Sequence, residues 1–438
     1  MLNGIKVGVI SLGCDKNRVD TEKMLFNICK RHTLTNDVEN AEIIIINTCA
    51  FLESARREAI EEIFTAVQYK KEGACKKIIV TGCLPQKFIS EIFDELVEVD
   101  GFLGVSDYDE ILSVIERVYN GERVNAVGQV KLDLSKDRVL TTKNFAYLKI
   151  ADGCSNHCTY CLIPYIRGPF RSIPLECLVS EASALSGVSE LILVAQDLTR
   201  YGSDFSDGTT LVTLIKRLSE LDNIQKIRLL YCYPEGVTDE LINQLKTNDK
   251  LIKYIDIPFQ HASERILKLM NRKGSMQNNL ALINKLKSEV PGIAIRSTFI
   301  TGFPTEEQAD FDKLVEFVTK AQMFNVGCFA YSKEKGTPAY KLPNQVPAKV
   351  KNARCKKIYA VQKKVFNAQY KKLIGLTVSV LAEGFDDEQL VYYGRAYFNA
   401  PDIDGKIYFF ADDQIEYGKY YSVKLTKIDD YNFYGERQ

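Results

Sequence analysis

Three short apolar runs, Lys6 to Leu12, Ile43 to Asn47 and Lys77 to Thr81, are each followed two residues later by a cysteine: Cys14, Cys49 and Cys83. Strands of this kind, alternating with helical patterns, demand a parallel sheet, because only a crossover connection returns the chain to the start of the next strand. The nearly unbroken isoleucines of the second run predict a strand covered on both faces. Asp20 to Lys30 reads as a helix with Met24, Leu25, Ile28 and Cys29 on its core face. Ala55 to Lys70 reads as another, with Ile60, Ile63, Phe64 and Val67 buried. In a parallel sheet the carboxyl ends of the strands share the edge where ligands bind. Each cysteine alone would read as a packed thiol. All three at the same point of successive units favour a three-cysteine cluster site.

A second trio is local. Cys154-Ser-Asn-His-Cys158-Thr-Tyr-Cys161 follows an expected strand, Tyr147 to Ala151, on a loop opened by Gly153. Three thiolates on one tight loop can hold three irons of a cubane and leave the fourth open to a ligand. The rivals are a zinc clip, which usually pairs two Cys-x-x-Cys units or adds spaced histidines, and closure of the set by Cys177. His157 reads as a solvated loop residue. The chain has twelve cysteines. A reducing cytosol argues against disulfides, and clustered cysteines there more often bind metal. Cys75, Cys177, Cys232, Cys328 and Cys355 are read as packing.

The 438 residues, 46% hydrophobic and 26% charged, allow two or three cores. Charge balances at 57 basic against 57 acidic residues. No long apolar stretch and no charged-then-apolar leader is visible, so a cytoplasmic protein without a membrane span is expected. Val124 to Asn144 is polar and reads as a linker. Beyond it six strands are expected: Tyr147 to Ala151, Leu191 to Ala195, Lys226 to Leu230, Tyr254 to Ile257, Ile293 to Ile300 and Val326 to Tyr331. Helical patterns between them point to a closed or partly closed parallel barrel. After a lysine-rich helix around Lys349 to Lys372, the tail Leu376 to Gln438 is rich in Tyr, Val and Phe. It carries turn signals, as in a small OB-like barrel of about five strands.

At these residues the chain resembles the methylthiotransferases of the radical S-adenosylmethionine (SAM) class, within them the branch that modifies the twelfth protein of the small ribosomal subunit. The resemblance runs through Ser11-Leu-Gly-Cys-Asp-Lys-Asn-Arg-Val-Asp20, Asn47-Thr-Cys49, Thr81-Gly-Cys83, Asp152 to Arg171, Ala195-Gln-Asp-Leu-Thr-Arg-Tyr-Gly202, Asp256-Ile-Pro-Phe-Gln-His261 and Gly302-Phe-Pro304. It implies an α/β protein in three parts: an amino-terminal parallel α/β domain (1–125), a radical SAM domain like a TIM barrel (140–370) and a TRAM barrel for substrate recognition (372–438). It implies two [4Fe-4S] clusters, an auxiliary one on Cys14, Cys49 and Cys83 and the SAM-cleaving one on Cys154, Cys158 and Cys161. Candidate SAM contacts are Tyr160, its ring over the cluster or the adenine, Gln196 and Asp197 toward the amine, Arg296 toward the carboxylate, and Thr298, Gly302 and Pro304 at the barrel mouth. Asp152, Ile173 and Thr305 depart from the usual Glu, Arg and Gly. A ribosomal protein, an electron donor such as flavodoxin or ferredoxin, and a sulfur source are the implied partners.

The substrate of the implied reaction is an aspartate β-carbon. The alternative within the family is a modified adenosine of transfer RNA, and outside it a non-catalytic iron–sulfur electron carrier. From Lys372 onward seven Lys and Arg face twelve Asp and Glu, a balance of 7 − 12 = −5. RNA binding draws on phosphate neutralisation, so an acidic tail better complements a basic ribosomal protein.

Overall fold

The isoleucine-rich runs are strands of one sheet in the computed structural model, which describes residues 2–438. The chain divides into two compact units. One comprises Met1–Thr141, Tyr147–Ala184 and Glu334–Thr337, the other Thr142–Ala146, Leu185–Lys333 and Pro338–Gln438.

In the first unit, β1 (Lys6–Ser11), β2 (Thr33–Thr35), β3 (Ile43–Thr48), β4 (Lys77–Gly82), β5 (Gly101–Leu103) and β6 (Val124–Ala126) lie in the order β2-β1-β3-β4-β5-β6. All neighbours run parallel. The helices α1 (Asp15–Cys29), α2 (Glu53–Glu72), α3 (Cys83–Glu95) and α4 (Ile111–Tyr119) make the crossovers. β3 is buried throughout. Its Ile44 and Ile46 join Ala59, Ile63 and Ala66 of α2 on one face. Ile43 and Ile45 join Met24 and Ile28 of α1 and Ile115 of α4 on the other, as the two-residue period of a strand requires. α1 begins five residues before the expected start. Two expected core residues are not in the core: Cys29 is exposed and Phe64 is 52% exposed. Each sits one residue past a buried isoleucine, Ile28 or Ile63, and one residue turns a helix by about 100°, enough to leave the buried stripe.

The polar segment read as a linker begins as β6 and then straps the same unit. Gly128 N–H donates to Asp107 (3.0 Å), Lys131 N–H to Ser106 Oγ (3.0 Å) and Thr141 N–H to Glu22 (2.9 Å). Arg138, buried, pairs with Glu22 (3.2 Å) and Glu181 (3.4 Å). Low hydrophobicity here reflects polar pairing. The chain continues through β7 (Phe145–Lys149), β8 (Ala151–Asp152), α5 (Ile163–Arg167), β9 (Arg171–Ser172) and α6 (Leu175–Ala184). β8 and β9 pair antiparallel and pinch the base of the cysteine loop.

The second unit holds β10 (Glu190–Val194), α7 (Leu211–Ser219), β11 (Lys226–Leu229), α8 (Asp239–Thr247), β12 (Leu251–Asp256), α9 (Glu264–Leu269), α10 (Met276–Glu289), β13 (Ala294–Thr301), α11 (Gln308–Ala321) and β14 (Asn325–Ala330). The sheet order is β14-β13-β12-β11-β10, followed by the strand that begins at Phe145. β10 to β14 are parallel, and all six expected strands exist. The sheet has six strands among the described residues.

After α12 (Ala348–Tyr370), the strands β15 (Thr377–Asp386), β16 (Val391–Arg395), β17 (Ile407–Phe410), β18 (Tyr420–Asp429) and β19 (Asn432–Arg437) close into a barrel. Aromatic rings join helix to barrel: Phe366 stacks on Tyr370 (centroids 3.7 Å apart), and Tyr370 meets Phe398 and Phe433. A buried ionic group ties the barrel to β10: Arg395 bonds Glu190 (3.2 Å) and Glu383 (2.8 Å), and Glu190 also bonds Arg228 (2.5 Å). No described helix is long and apolar enough to cross a membrane.

Candidate cluster sites

Cys14, Cys49 and Cys83 stand just past the carboxyl ends of β1, β3 and β4, adjacent strands of the sheet. Cys14 caps α1, and Cys83 is the first residue of α3. Gly13, at φ +92°, brings the Cys14 turn against Cys49: a Cβ there would lie 2.8 Å from Cys49 Cβ and 3.3 Å from its Sγ. Asn17 fastens the three strand ends. Its Nδ2 donates to Leu12 O (3.1 Å) and Thr48 O (3.0 Å), and its Oδ1 accepts from Cys83 Sγ (3.7 Å). Burial raises the Cys49 thiol and, with Arg167 opposing, pushes Cys83 up to about 12; the Cys14 sulfur adds to both.

The second trio is held by the turn that carries it. Gly153, at φ +74°, lies so close to the returning chain that a Cβ would be 2.0 Å from Pro169 O, so only glycine fits. Cys154 N–H donates to Gly168 O (3.0 Å), and Cys161 N–H to Cys158 O (3.0 Å). Cys154 and Cys158 are buried and Cys161 is half-buried. His157 is exposed and Tyr160 half-buried. None of the twelve cysteines is in a disulfide.

A buried polar network, which the sequence reading did not single out, joins the segments that carry the two trios. Lys149 Nζ bonds Asp20 and Asp152 (3.0 Å to the latter). Arg167 donates to Asp152 (3.0 Å), Asp20 (2.9 Å) and Asn17 Oδ1 (2.7 Å), with Nη2 3.8 Å from Cys83 Sγ. Burial alone would disfavour the charges of Lys149, Asp152 and Arg167, but pairing outweighs it. Asp152 is held well below the usual carboxylate range by Arg167 and Lys149, and Lys149 above the usual amine range by Asp152 and Asp20. The available signal was charge out of place: a lysine ending the strand Phe145–Lys149 and an aspartate within α1 beside Val19.

The remaining candidates belong to the second unit. Gln196 and Asp197 follow β10; Asp197 accepts from Thr199 Oγ1 (2.7 Å), and Gln196 Oε1 is buried without a partner in the chain. Gly302 (φ +70°) and Pro304 follow β13, and Gly302 N–H donates to Glu306 (2.8 Å). Arg296 and Thr298 lie within β13. The carboxylates facing Arg296 are the chain's own: Asp256, its neighbour in register (3.0 Å), and Asp404 of the β16–β17 connection (3.6 Å). Its Nη1 also donates to Thr298 Oγ1 (3.2 Å). His261 is fully buried, its Nδ1 accepting from Ser263 N–H (2.9 Å) and its Nε2 3.4 Å from Glu306. Of the family departures, Asp152 is the hub of the network, Ile173 is buried, and Thr305 sits at φ +70°, where glycine costs least.

The donor sets fit the implied groups. Among the described residues no three His, Cys, Asp or Glu side chains are close enough to grip one ion together. A cubane instead places each thiolate on a separate iron, and both trios offer three soft sulfurs and no fourth.

Comparison with known proteins agrees with the three-part plan. Residues 6–104 match the uncharacterized protein family UPF0004, 148–318 the radical SAM superfamily and 374–437 the TRAM domain. Two solved structures share the fold: the radical SAM methyltransferase TsrM from Kitasatospora setae (13% identity, TM-score 0.58, 77% of each chain) and the cobalamin-dependent SAM radical enzyme OxsB (12%, TM-score 0.52, 82% of this chain and 56% of that one). Among curated proteins, the "Ribosomal protein uS12 methylthiotransferase RimO" of Acetivibrio thermocellus is 44% identical over 98% of both chains. That of Pelobacter propionicus is 44% identical over 99% of this chain and 98% of its own. With likeness of this degree from end to end, and with two cysteine trios and a TRAM barrel in place, the chain belongs to the RimO family of radical SAM methylthiotransferases.

Proposed function

We propose that the protein adds a methylthio group to the β-carbon of an aspartate in ribosomal protein uS12, using SAM and two [4Fe-4S] clusters. The observation that carries this reading is the presence of two three-cysteine sites in one compact unit, in a chain 44% identical to RimO proteins throughout. When bound, the clusters and SAM supply reductive cleavage of the sulfonium and the sulfur that is transferred. Cys154, Cys158 and Cys161 hold the SAM-cleaving cluster, and Cys14, Cys49 and Cys83 the auxiliary one.

Gln196, with its buried acceptor, and Asp197 receive the amine of SAM. Gly302 and Pro304 shape the mouth of the sheet where ligands of parallel sheets bind, and Tyr160 offers a ring to the adenine. Arg296, which also orders Asp256 and Thr298, is the candidate for the carboxylate of SAM. The acidic TRAM barrel, at −5 from Lys372 onward, draws in a basic ribosomal protein. A flavodoxin or ferredoxin supplies electrons, a separate source renews the sulfur, and the work takes place in the cytoplasm.

The test is anaerobic reconstitution with iron and sulfide, then mass measurement of purified ribosomes and bulk transfer RNA offered separately with SAM and reductant. Methylthiolated uS12 is expected. Product on transfer RNA alone would overturn the substrate, and clusters without deoxyadenosine formation would leave an electron carrier.

A further inference from the structure

Arg167 is not a member of either cysteine set, yet it touches the surroundings of both. It is the last residue of α5, which begins two residues after Cys161. Its side chain is 1% exposed, a position in which a lone cation is untenable. Asp152 immediately precedes the Gly153 turn of the Cys154 loop and accepts from Nη1; Asp20 and Asn17, on the helix that Cys14 caps, accept from Nη2. The sulfur of Cys83 lies 3.8 Å from the same Nη2. Asp20 and Asp152 balance Arg167 and Lys149, two charges against two. A cubane on three thiolates brings further negative charge, and the guanidinium is the cation that faces it.

We infer that Arg167 is a positioning residue for the auxiliary cluster: it donates to the Cys83 thiolate, sets the ease of one-electron reduction there, and fixes that site to the SAM-cleaving loop through Asp152. The inference rests on the cluster assignment proposed above. The physical reason is simple. Reduction adds one negative charge to an already anionic group, and a hydrogen-bonded cation stabilises the reduced form more than the oxidised one. The planar fork is needed because four acceptors lie around it in fixed directions.

The test uses the full chain with Cys154, Cys158 and Cys161 changed to alanine, reconstituted with iron and sulfide and titrated with dithionite under EPR observation. Arg167→Gln is expected to lower the midpoint potential so that the reduced-to-oxidised ratio at fixed potential falls about tenfold, which is 59 mV for one electron. Arg167→Lys should retain more than half of the difference. In the reciprocal protein, with Cys14, Cys49 and Cys83 changed to alanine, Arg167→Gln should move the remaining cluster much less. Equal midpoint potentials for the Arg167 and Gln proteins at equal iron content would overturn the inference, as would equal shifts at both clusters. Loss of iron uptake in the Gln but not the Lys protein would support it through the same charge. Should the parent without Cys154, Cys158 and Cys161 take up no iron, the cluster assignment itself falls, and this inference with it.

Discussion

Gly82→Ala tests whether the backbone before Cys83 is what sets the first trio. Gly82 has φ +94° and ψ −149°, a region open to glycine almost alone; for alanine such a backbone costs about 1–3 kcal/mol. The new Cβ would lie 2.3 Å from Asn47 Oδ1, 2.6 Å from Thr48 O and 3.0 Å from Thr48 N. The Asn47 side chain cannot swing away freely, because its Nδ2 donates to Asn17 O (3.0 Å) and Thr21 Oγ1 (2.8 Å) in a buried setting. Relief must come from β3 and β4, which pair Thr48 with Gly82. Forced overpacking adds about 1–3 kcal/mol, for a total of about 2–6 kcal/mol, a large part of the 5–15 kcal/mol typical of a domain. The variant should fold with a lowered melting temperature. It should keep the SAM-cleaving cluster while losing most iron at the auxiliary site, because Cys83 moves with Gly82. Thermal unfolding, iron content and a parallel assay of deoxyadenosine and methylthio product measure this. Unchanged melting together with undiminished methylthiolation would refute the argument.

Cys14→Ala, Cys49→Ala and Cys83→Ala should each still cleave SAM yet give no methylthio product; retained modification would remove the trio from the reaction. In the second unit, burial would raise the Glu190 carboxyl, but Arg228 and Arg395 outweigh it and hold it low. A depressed folded value contributes stability that is present above the unfolded value, about 4.3, and is lost as pH falls below it. Glu190→Gln should therefore flatten the acid limb of this unit's stability, measured by urea unfolding from pH 6 downward, and cost about 3–5 kcal/mol at neutral pH by stranding the buried Arg228 guanidinium and leaving Arg395 to Glu383 alone. An unchanged acid limb would deny Glu190 this role. Replacing Glu190, Arg228, Arg395 and Glu383 together by Met or Leu should cost far less than Glu190→Gln, since matched removal strands no charge; a larger loss in the quadruple variant would count against that.

The strands were legible wherever a run was long. The isoleucines of β3 declare both faces, whereas β2, β5 and β6 have three residues each, too few to show a period. The place of Cys14, Cys49 and Cys83 past the ends of adjacent strands was legible because a repeated place in the fold can be read along the chain. The network around Arg167 was not. Arg167 meets Asn17 across 150 residues and Lys149 meets Asp20 across 129, so no local pattern records the pairing. Arg296 shows the same limit: its need for a carboxylate was readable, but not that strand register places Asp256 beside it. Phe64 and Cys29 show that a stripe drawn one residue too wide takes in its exposed neighbour.

The same device occurs in each unit. Asp20, Lys149, Asp152 and Arg167 join α1 to the strand and loop around the second trio. Glu190, Arg228, Arg395 and Glu383 join β10 and β11 to the terminal barrel. Buried ion groups of this kind are poor sources of net stability, because desolvation consumes most of the Coulombic gain. What they supply is registry: a carboxylate that must meet two guanidiniums tolerates little sliding, whereas an apolar contact tolerates a good deal. In the first unit, registry holds the helix that Cys14 caps against the strand and turn that lead into the Cys154 loop. In the second, it fixes the acidic barrel on the sheet whose edge carries Gln196, Asp197 and Gly302. A protein that must bring a radical and a sulfur to one carbon gains more from fixed geometry than from an extra kilocalorie, and at both joints the chain uses the interaction that fixes geometry.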